Sequence, residues 1–325
     1  MPEGRLTRVS SLLWVGVCLI LGSAAHAQGT PQTEVRLAML APSALMWVHA
    51  IAQKQGFYAA RGLVVRELRA ADSPALLQAV SSASADAGLS LGDLAIRAID
   101  RGAPIVVVGA ALDKAILRLY AARDVVGLAG LNGAAVTAGA VRGGTADLLK
   151  YQVMLGGGDA ASLRMVSIAN SRDRIVALGN GQIRAALLIA PFDTLAERDG
   201  FRLLDVYREP YVETPLILNR DWAAKNRVAA TALVHAMKDA AGWLNQAANR
   251  DAAIDILAAY TGAARDVCAA SYAFIIQDQK AVPADFSVTQ AGLENISKID
   301  AAVNGSGSTG PFVLSKYYDP GFLAE

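Results

Sequence analysis

Two periodicities alternate along the chain. Val35, Leu37 and Met39 are apolar at every second position, with Arg36 and Ala38 between them, which predicts a strand over 34–41. Pro42 and Ser43 end it, and a helix is predicted over 45–55, stopped by Gly56. A second strand is expected over 63–68. Asp72-Ser73-Pro74 opens the next helix, because a proline in the first turn lacks only an N–H that has no intrahelical partner there. A short strand over 86–89, a helix over 92–101 and a wholly apolar strand over 105–108, of the kind buried on both faces, follow. Strands alternating with helices predict a parallel sheet covered on both sides.

The pattern then repeats. Residues 116–122 are extended, and strands are predicted over 134–141, 163–168 and 185–189. Helices are predicted over 145–155, closed by Gly156-Gly157-Gly158, over 172–179 and over 192–198. Leu203-Leu204 opens a last short strand. Beyond Pro215 the pattern is helical, over 221–226, 229–247, 250–261 and 266–274. The Gly/Ser-rich run at 304–309 predicts a loop. A chain of 325 residues exceeds one ordinary core. The expected fold class is α/β in two lobes, one from 30–120 with 215–325 and the other from 121–214. The chain would cross between them near 120 and 214, and these crossings would form a hinge.

The first 27 residues have the pattern of a signal peptide. Arg5 and Arg8 make a positive start, an apolar run covers 12–21, and Ala25-His26-Ala27 offers an A-x-A cleavage site before Gln28. The apolar run is shorter than the roughly 20 residues a spanning helix needs. Cleavage would remove Cys18 and leave Cys268 without a disulfide partner, so the core alone must stabilise the protein in an oxidising compartment. Cys268 lies in an Ala-rich helical stretch and is expected to be a small buried residue. Charge narrows the partners. Lys+Arg is 30 against 29 for Asp+Glu, with no basic cluster, so neither nucleic acid nor an anionic membrane surface is expected.

Several motifs suggest chemistry. Gly88-Leu89-Ser90-Leu91-Gly92 has the G-x-S-x-G spacing of a nucleophile elbow between a strand and a helix. A hydrolase would also need a histidine late in the chain. His49 precedes the serine and His235 falls within a predicted helix, so a binder is expected, with a Ser90 hydrolase as the alternative. Residues 305–310 fit G-x-G-x-x-G, but no strand precedes them and Pro311 follows, so no dinucleotide site is expected. No metal-binding cluster is present, and no metal or cofactor is expected.

Arg142-Gly143-Gly144-Thr145 joins a predicted strand to a predicted helix. Its glycines would let main-chain N–H groups approach a ligand, and the helix N-terminus and Arg142 would both favour an anion; an ordinary tight turn with a solvated Arg is the alternative. Met46 and Trp47 lie beyond the C-terminal end of the first strand, the edge where open parallel sheets bind ligands, although Trp47 also suits the core. Pro191-Phe192 occupies the corresponding edge in the second set.

Residues 51–65, with Gly56-Phe57-Tyr58 and Gly62-Leu63-Val64-Val65, resemble the A-x-x-x-G-F-F-x-x-x-G-L-x-V signature of the NMT1/THI5-like and sulfonate/nitrate/taurine-type ABC-transporter substrate-binding proteins. Ala85-Asp86-Ala87-Gly88, Gly102-Ala103-Pro104-Ile105, Gly181-Gln182-Ile183-Arg184-Ala185-Ala186 and Ala190-Pro191 resemble further segments of that family in the same order. Arg184 stands where the family usually has Asp, and Ala83 where it usually has Gly. The resemblance implies a type II periplasmic binding protein, a non-enzyme that captures a small solute between two lobes and delivers it to an ABC permease in the inner membrane. It does not imply the ligand, and Arg142, the one candidate cation of the cleft, makes a small organic anion the expected solute. A periplasmic monomer is expected, and a sensory binding protein is the second alternative. The resemblance also implies a cleft lined by Ser43, Met46, Trp47, Ser90, Leu91 and Gly92 from one lobe. Arg142, Gly143, Gly144, Thr145, Pro191 and Phe192 would come from the other, with Tyr211 and Thr214 on the second crossing. Relatives that synthesise the thiamine pyrimidine carry a cysteine-rich motif, which this chain lacks.

Overall fold

A computed structural model describes residues 32–305 and 311–324. The expected signal peptide lies outside these residues, as does most of the glycine run at 305–310.

Strand and helix alternate as the pattern predicts. The first set is β1 (Thr33–Met39), α1 (Trp47–Lys54), β2 (Leu63–Arg69), α2 (Ser73–Ser81), β3 (Ala87–Leu89), α3 (Gly92–Asp100) and β4 (Ile105–Lys114). The second set is β5 (Leu117–Ala121), β6 (Ala135–Gly139), α4 (Thr145–Leu155), β7 (Arg164–Ser167), α5 (Ser171–Gly179), β8 (Ala185–Ile189), α6 (Asp193–Arg198) and β9 (Arg202–Val206). The chain returns through β10 (Pro210–Asn219) to the helices α7 (Arg220–Lys225), α8 (Arg227–Leu244), α9 (Arg250–Thr261), α10 (Arg265–Tyr272) and α11 (Gln290–Asn304). Asp72 caps α2 as its sequence suggests, its Oδ1 accepting from the Ala75 N–H at 2.8 Å.

These elements form two five-stranded sheets, in the orders β2-β1-β3-β10-β4 and β7-β6-β8-β5-β9. β1 pairs in parallel with β2, from Thr33 opposite Leu63 to Met39 opposite Arg69, and also with β3. The expectation of wholly parallel sheets is corrected by one strand in each. β10 runs antiparallel to both β3 and β4, and β5 runs antiparallel to both β8 and β9. Each is the first strand that the chain forms after crossing from the other sheet.

Two elements depart from the pattern reading. Residues 215–219, expected to lead into helices, are the second half of β10. Leu216, Ile217 and Leu218 are fully buried there, as a central strand requires. Pro210 and Pro215 are tolerated because the pairing with β4 shifts register between Pro210 and Thr214 and again at Pro215. Helix α11 was not expected at all. It is capped by Thr289, whose hydroxyl accepts from the Gly292 N–H at 3.3 Å.

The first sheet's core is sealed by α1 against α8, where Trp47, Ile51, Leu233 and Met237 are buried together. Cys268 belongs to this core, and burial pushes its thiol up to about 11, so it is an unreactive packing residue.

Gly92, at the start of α3, fits against the returning strand. A Cβ there would sit 1.9 Å from the Val212 carbonyl oxygen, which is main chain and cannot turn aside. Gly92→Ala is therefore expected to destabilise the fold by about 1–3 kcal/mol. Urea unfolding checks this, and an unchanged midpoint would contradict the packing.

Candidate functional site

β1, β2 and β3 of the first sheet and β6, β7 and β8 of the second deliver their C-terminal ends to a common cavity of about 280 Å³. From the first sheet come the turn after β1, with Pro42 and Ser43, the start of α2 at Asp72 and Ser73, and Leu91. From the second come the turn from β6 to α4, the turn from β7 to α5, and Ile189 with Phe192 beyond β8.

Seven of the residues expected at the site line this cavity, namely Ser43, Leu91, Arg142, Gly143, Gly144, Thr145 and Phe192. The others lie behind its walls. Met46 and Trp47 face the core. The Trp47 indole N–H donates to the Ala253 carbonyl at 3.0 Å, and its ring meets Tyr272 edge-on at 6.1 Å. Ser90 is buried, and its hydroxyl reaches only the neighbouring Leu91 carbonyl, at 3.4 Å. Gly92 packs on Val212, and Pro191 is buried beside Phe192. Tyr211 stacks edge-on with Tyr207 at 6.0 Å, and Thr214 is fully buried in β10. Alternation along a strand and the inward stripe of α1 explain these placements, since adjacent residues face opposite ways.

The glycine turn differs in detail from its expected role. Gly144 lines the cavity with its main chain, but its N–H donates to the Asp93 carboxylate on α3. The Thr145 hydroxyl donates to the Ala138 carbonyl and so braces the turn. Arg142 is exposed at the rim and makes no ion pair among the described residues.

The residue that sequence reasoning missed is Arg174. It lies on α5, is 2% exposed, and lines the cavity. Its Nε donates to the Ile168 carbonyl at 2.9 Å, one terminal nitrogen to Leu187 at 2.6 Å and the other to Ala169 at 2.7 Å. All three partners are neutral. Burial pushes the guanidinium down to about 10, with no carboxylate nearby to oppose the shift. A guanidinium carries five N–H groups, so these three bonds do not exhaust it. Gly139 makes room for it, because a Cβ there would lie 2.8 Å from an Arg174 terminal nitrogen. Arg174 shares the buried face of α5 with Ser171, Ala177 and Leu178, and nothing in the residue pattern sets it apart from the exposed Arg172 on the same helix.

The acidic side chain on the cavity wall, Asp72, is engaged with its own helix as the α2 cap. Against this one carboxylate the lining carries two guanidinium groups, Arg174 inside and Arg142 at the rim, so its net charge is positive. The walls between are small and apolar, with Ala41, Ala70, Ala138 and Ala169 among them. Across the cavity the two sets of elements also touch directly, the Ala44 N–H donating to the Ala190 carbonyl at 2.9 Å.

Solved structures share this architecture over most of the chain. The ligand-binding component of an ABC-type import system from Staphylococcus aureus, with zinc bound, matches with a TM-score of 0.74 at 17% identity, over 90% of this chain and 99% of that one. The periplasmic nitrate-binding protein NrtA from Synechocystis PCC 6803 matches at 0.73 and 15%, over 90% and 88%. The alkanesulfonate-binding protein SsuA from Xanthomonas axonopodis pv. citri, bound to MOPS, matches at 0.64 and 16%, over 82% and 98%. At such identities the likeness establishes the fold, that of a periplasmic binding protein. No protein of curated function matches the sequence significantly. The NMT1/THI5-like family model matches residues 48–250, well over half of the chain, and the chain belongs to that family.

Proposed function

We propose that this protein is the solute-capturing component of an ABC importer, working in the periplasm and closing two lobes about a small organic anion. In this reading the lobes follow the two sheets, and the hinge, expected near 120 and 214, would use the connections at 115–116, between β4 and β5, and 207–209, between β9 and β10. Ligand contacts from both lobes exist together only when they are closed, so binding shifts the population toward the closed form, which a permease then reads.

The observation that carries the anion is the Arg174 guanidinium, held out of water against neutral carbonyls. Burying an unpaired charge is costly, and an anionic ligand beside it offsets that cost. The cavity volume and its alanine walls suit a compact organic body, and Phe192 can cover it from one side. A hydrolase reading of Ser90 finds no support in the geometry. His49 is bound at 2.9 Å to both Tyr58 and Glu67, and His235 lies within α8.

A thermal-shift panel of short sulfonates, carboxylates and heteroaromatic acids tests the reading. An anion at ~100 times its dissociation constant is expected to add roughly 2.7 kcal/mol of stability. No shift with any member would contradict it. With the best anion as probe, Arg174→Gln is expected to weaken binding by about 10- to 100-fold, the worth of one charged hydrogen bond of ~1.5–3 kcal/mol. Arg142→Gln, at the exposed rim, is expected to cost about fivefold or less. Titration calorimetry reads both, and equal losses would remove Arg174 from its central place.

A further inference from the structure

Behind the cavity wall lies a second charged cluster that the capture reading does not use. Asp93 and Arg97 on α3, which packs on the first sheet, reach elements of the second set. Asp93 is 4% exposed and accepts from the Gly144 N–H, while Arg97 pairs with Asp147 in the first turn of α4. Arg97 also bonds Asp93 at 2.9 Å and Asp300 on α11 at 3.4 Å. Asn304 on α11 donates to Asp147 at 3.0 Å and to Asp300 at 2.8 Å. From β10 come Tyr211 and Glu213, both buried, with Glu213 close enough to Asp93 for their charges to repel. Among the described residues, Arg97 thus faces three carboxyl groups, and a fourth, Glu213, lies near Asp93. Asp93 Oδ1 and Glu213 Oε2 are buried without a hydrogen-bond partner.

We propose that Asp93 and Arg97 are positioning residues that fix the glycine turn of the cavity only when the lobes are closed, and that closure draws a proton into their cluster. The geometry requires both parts. Gly144 and Asp147 belong to the turn and helix that line the cavity, and the groups that hold them sit on the opposite lobe. If the lobes part, Asp93 loses Gly144 and gains water. If they close, excess negative charge is buried unless a proton enters with it.

The direction of the pH response follows. In the closed form, burial and the neighbouring Asp147 push Asp93 up to about 6, against the pull of Arg97 and the Gly144 N–H. Glu213 is pushed up to about 8 by burial and by Asp93, which leaves it mostly neutral at pH 7. An Asp93 exposed by opening would return to the ordinary value of about 3.9. A group with a raised closed-state value favours the closed form as pH falls through that value. The closed-to-open ratio is therefore expected to be about tenfold higher at pH 5 than at pH 8.

This inference rests on the two-lobe reading above but not on any ligand, and it is tested on the ligand-free full-length protein. Small-angle scattering across pH 5–8 reports the closed-to-open ratio, and hydrogen exchange at the Gly144 amide, corrected for intrinsic pH dependence, reports the tie. The wild type is expected to become more compact on acidification. Asp93→Ala should lose Gly144 protection by about tenfold or more, a loss of one hydrogen bond to a charged group. Asp93→Asn should restore much of that protection, since its amide oxygen still accepts, while abolishing the pH response. If Asp93→Ala does not fold, Asp147→Ala removes the neighbouring tie to Arg97 from the other lobe and should also expose the Gly144 amide. A wild type that is equally compact at both pH limits, or that opens on acidification, overturns the proposal. So does a Gly144 amide that Asp93→Ala leaves protected. Failure of every anion to bind would leave these readouts intact, and a flat pH response would leave the anion reading intact.

Discussion

The Arg174 guanidinium is buried, its hydrogen-bond partners among the described residues are main-chain carbonyls, and much of the site's character follows from that. Carbonyl dipoles satisfy some of its donors but leave its charge uncompensated. The three carbonyls come from the turn after β7 and from β8, so the same bonds that hold the arginine also shape one wall of the cavity. Gly139, without a Cβ, allows β6 to pass beside the terminal nitrogen. The site is thereby built around a fixed positive charge before any ligand arrives. Such preorganisation lowers the cost of binding.

Connectivity brings the other wall to meet it. The chain leaves the first sheet through β4, builds the second, and returns through β10, which inserts between β3 and β4. Two crossings therefore join the two sheets. Polar ties join the two sets of elements, Ala44 with Ala190, Asp93 with Gly144, and Arg97 with Asp147, and apolar cores include residues of both sheets. The positive cavity and the acidic cluster behind it lie on the two sides of one glycine turn, so the charge state of one bears on the geometry of the other.

Much of this was legible in the residues. β2 and β8 lie almost where alternation places them, and the resemblance at residues 51–65 led to the family whose model matches. The glycine turn at 142–145 was identifiable because two adjacent glycines between a strand and a helix mark a close approach of main chain. Other features were hidden for physical reasons. Pro210 and Pro215 suggest the end of a strand, and only the register shifts against β4 make them compatible with its centre. Met46, Trp47 and Ser90 lie within a residue or two of the cavity in sequence but face the other way, a distinction that proximity to a strand end does not make. Arg174 sits at a buried helical position where a cation is unexpected. Its partners are carbonyls, which leave no mark in a sequence.

The account stands or falls on whether the cavity prefers charge. Titration calorimetry of the wild-type protein with a short alkanesulfonate and with the matching uncharged sulfonamide separates the charge from the shape. The sulfonate is predicted to bind at least about tenfold more tightly, the worth of one charged hydrogen bond. Equal affinities for the two, or a preference for the neutral compound, would contradict an anion site at Arg174.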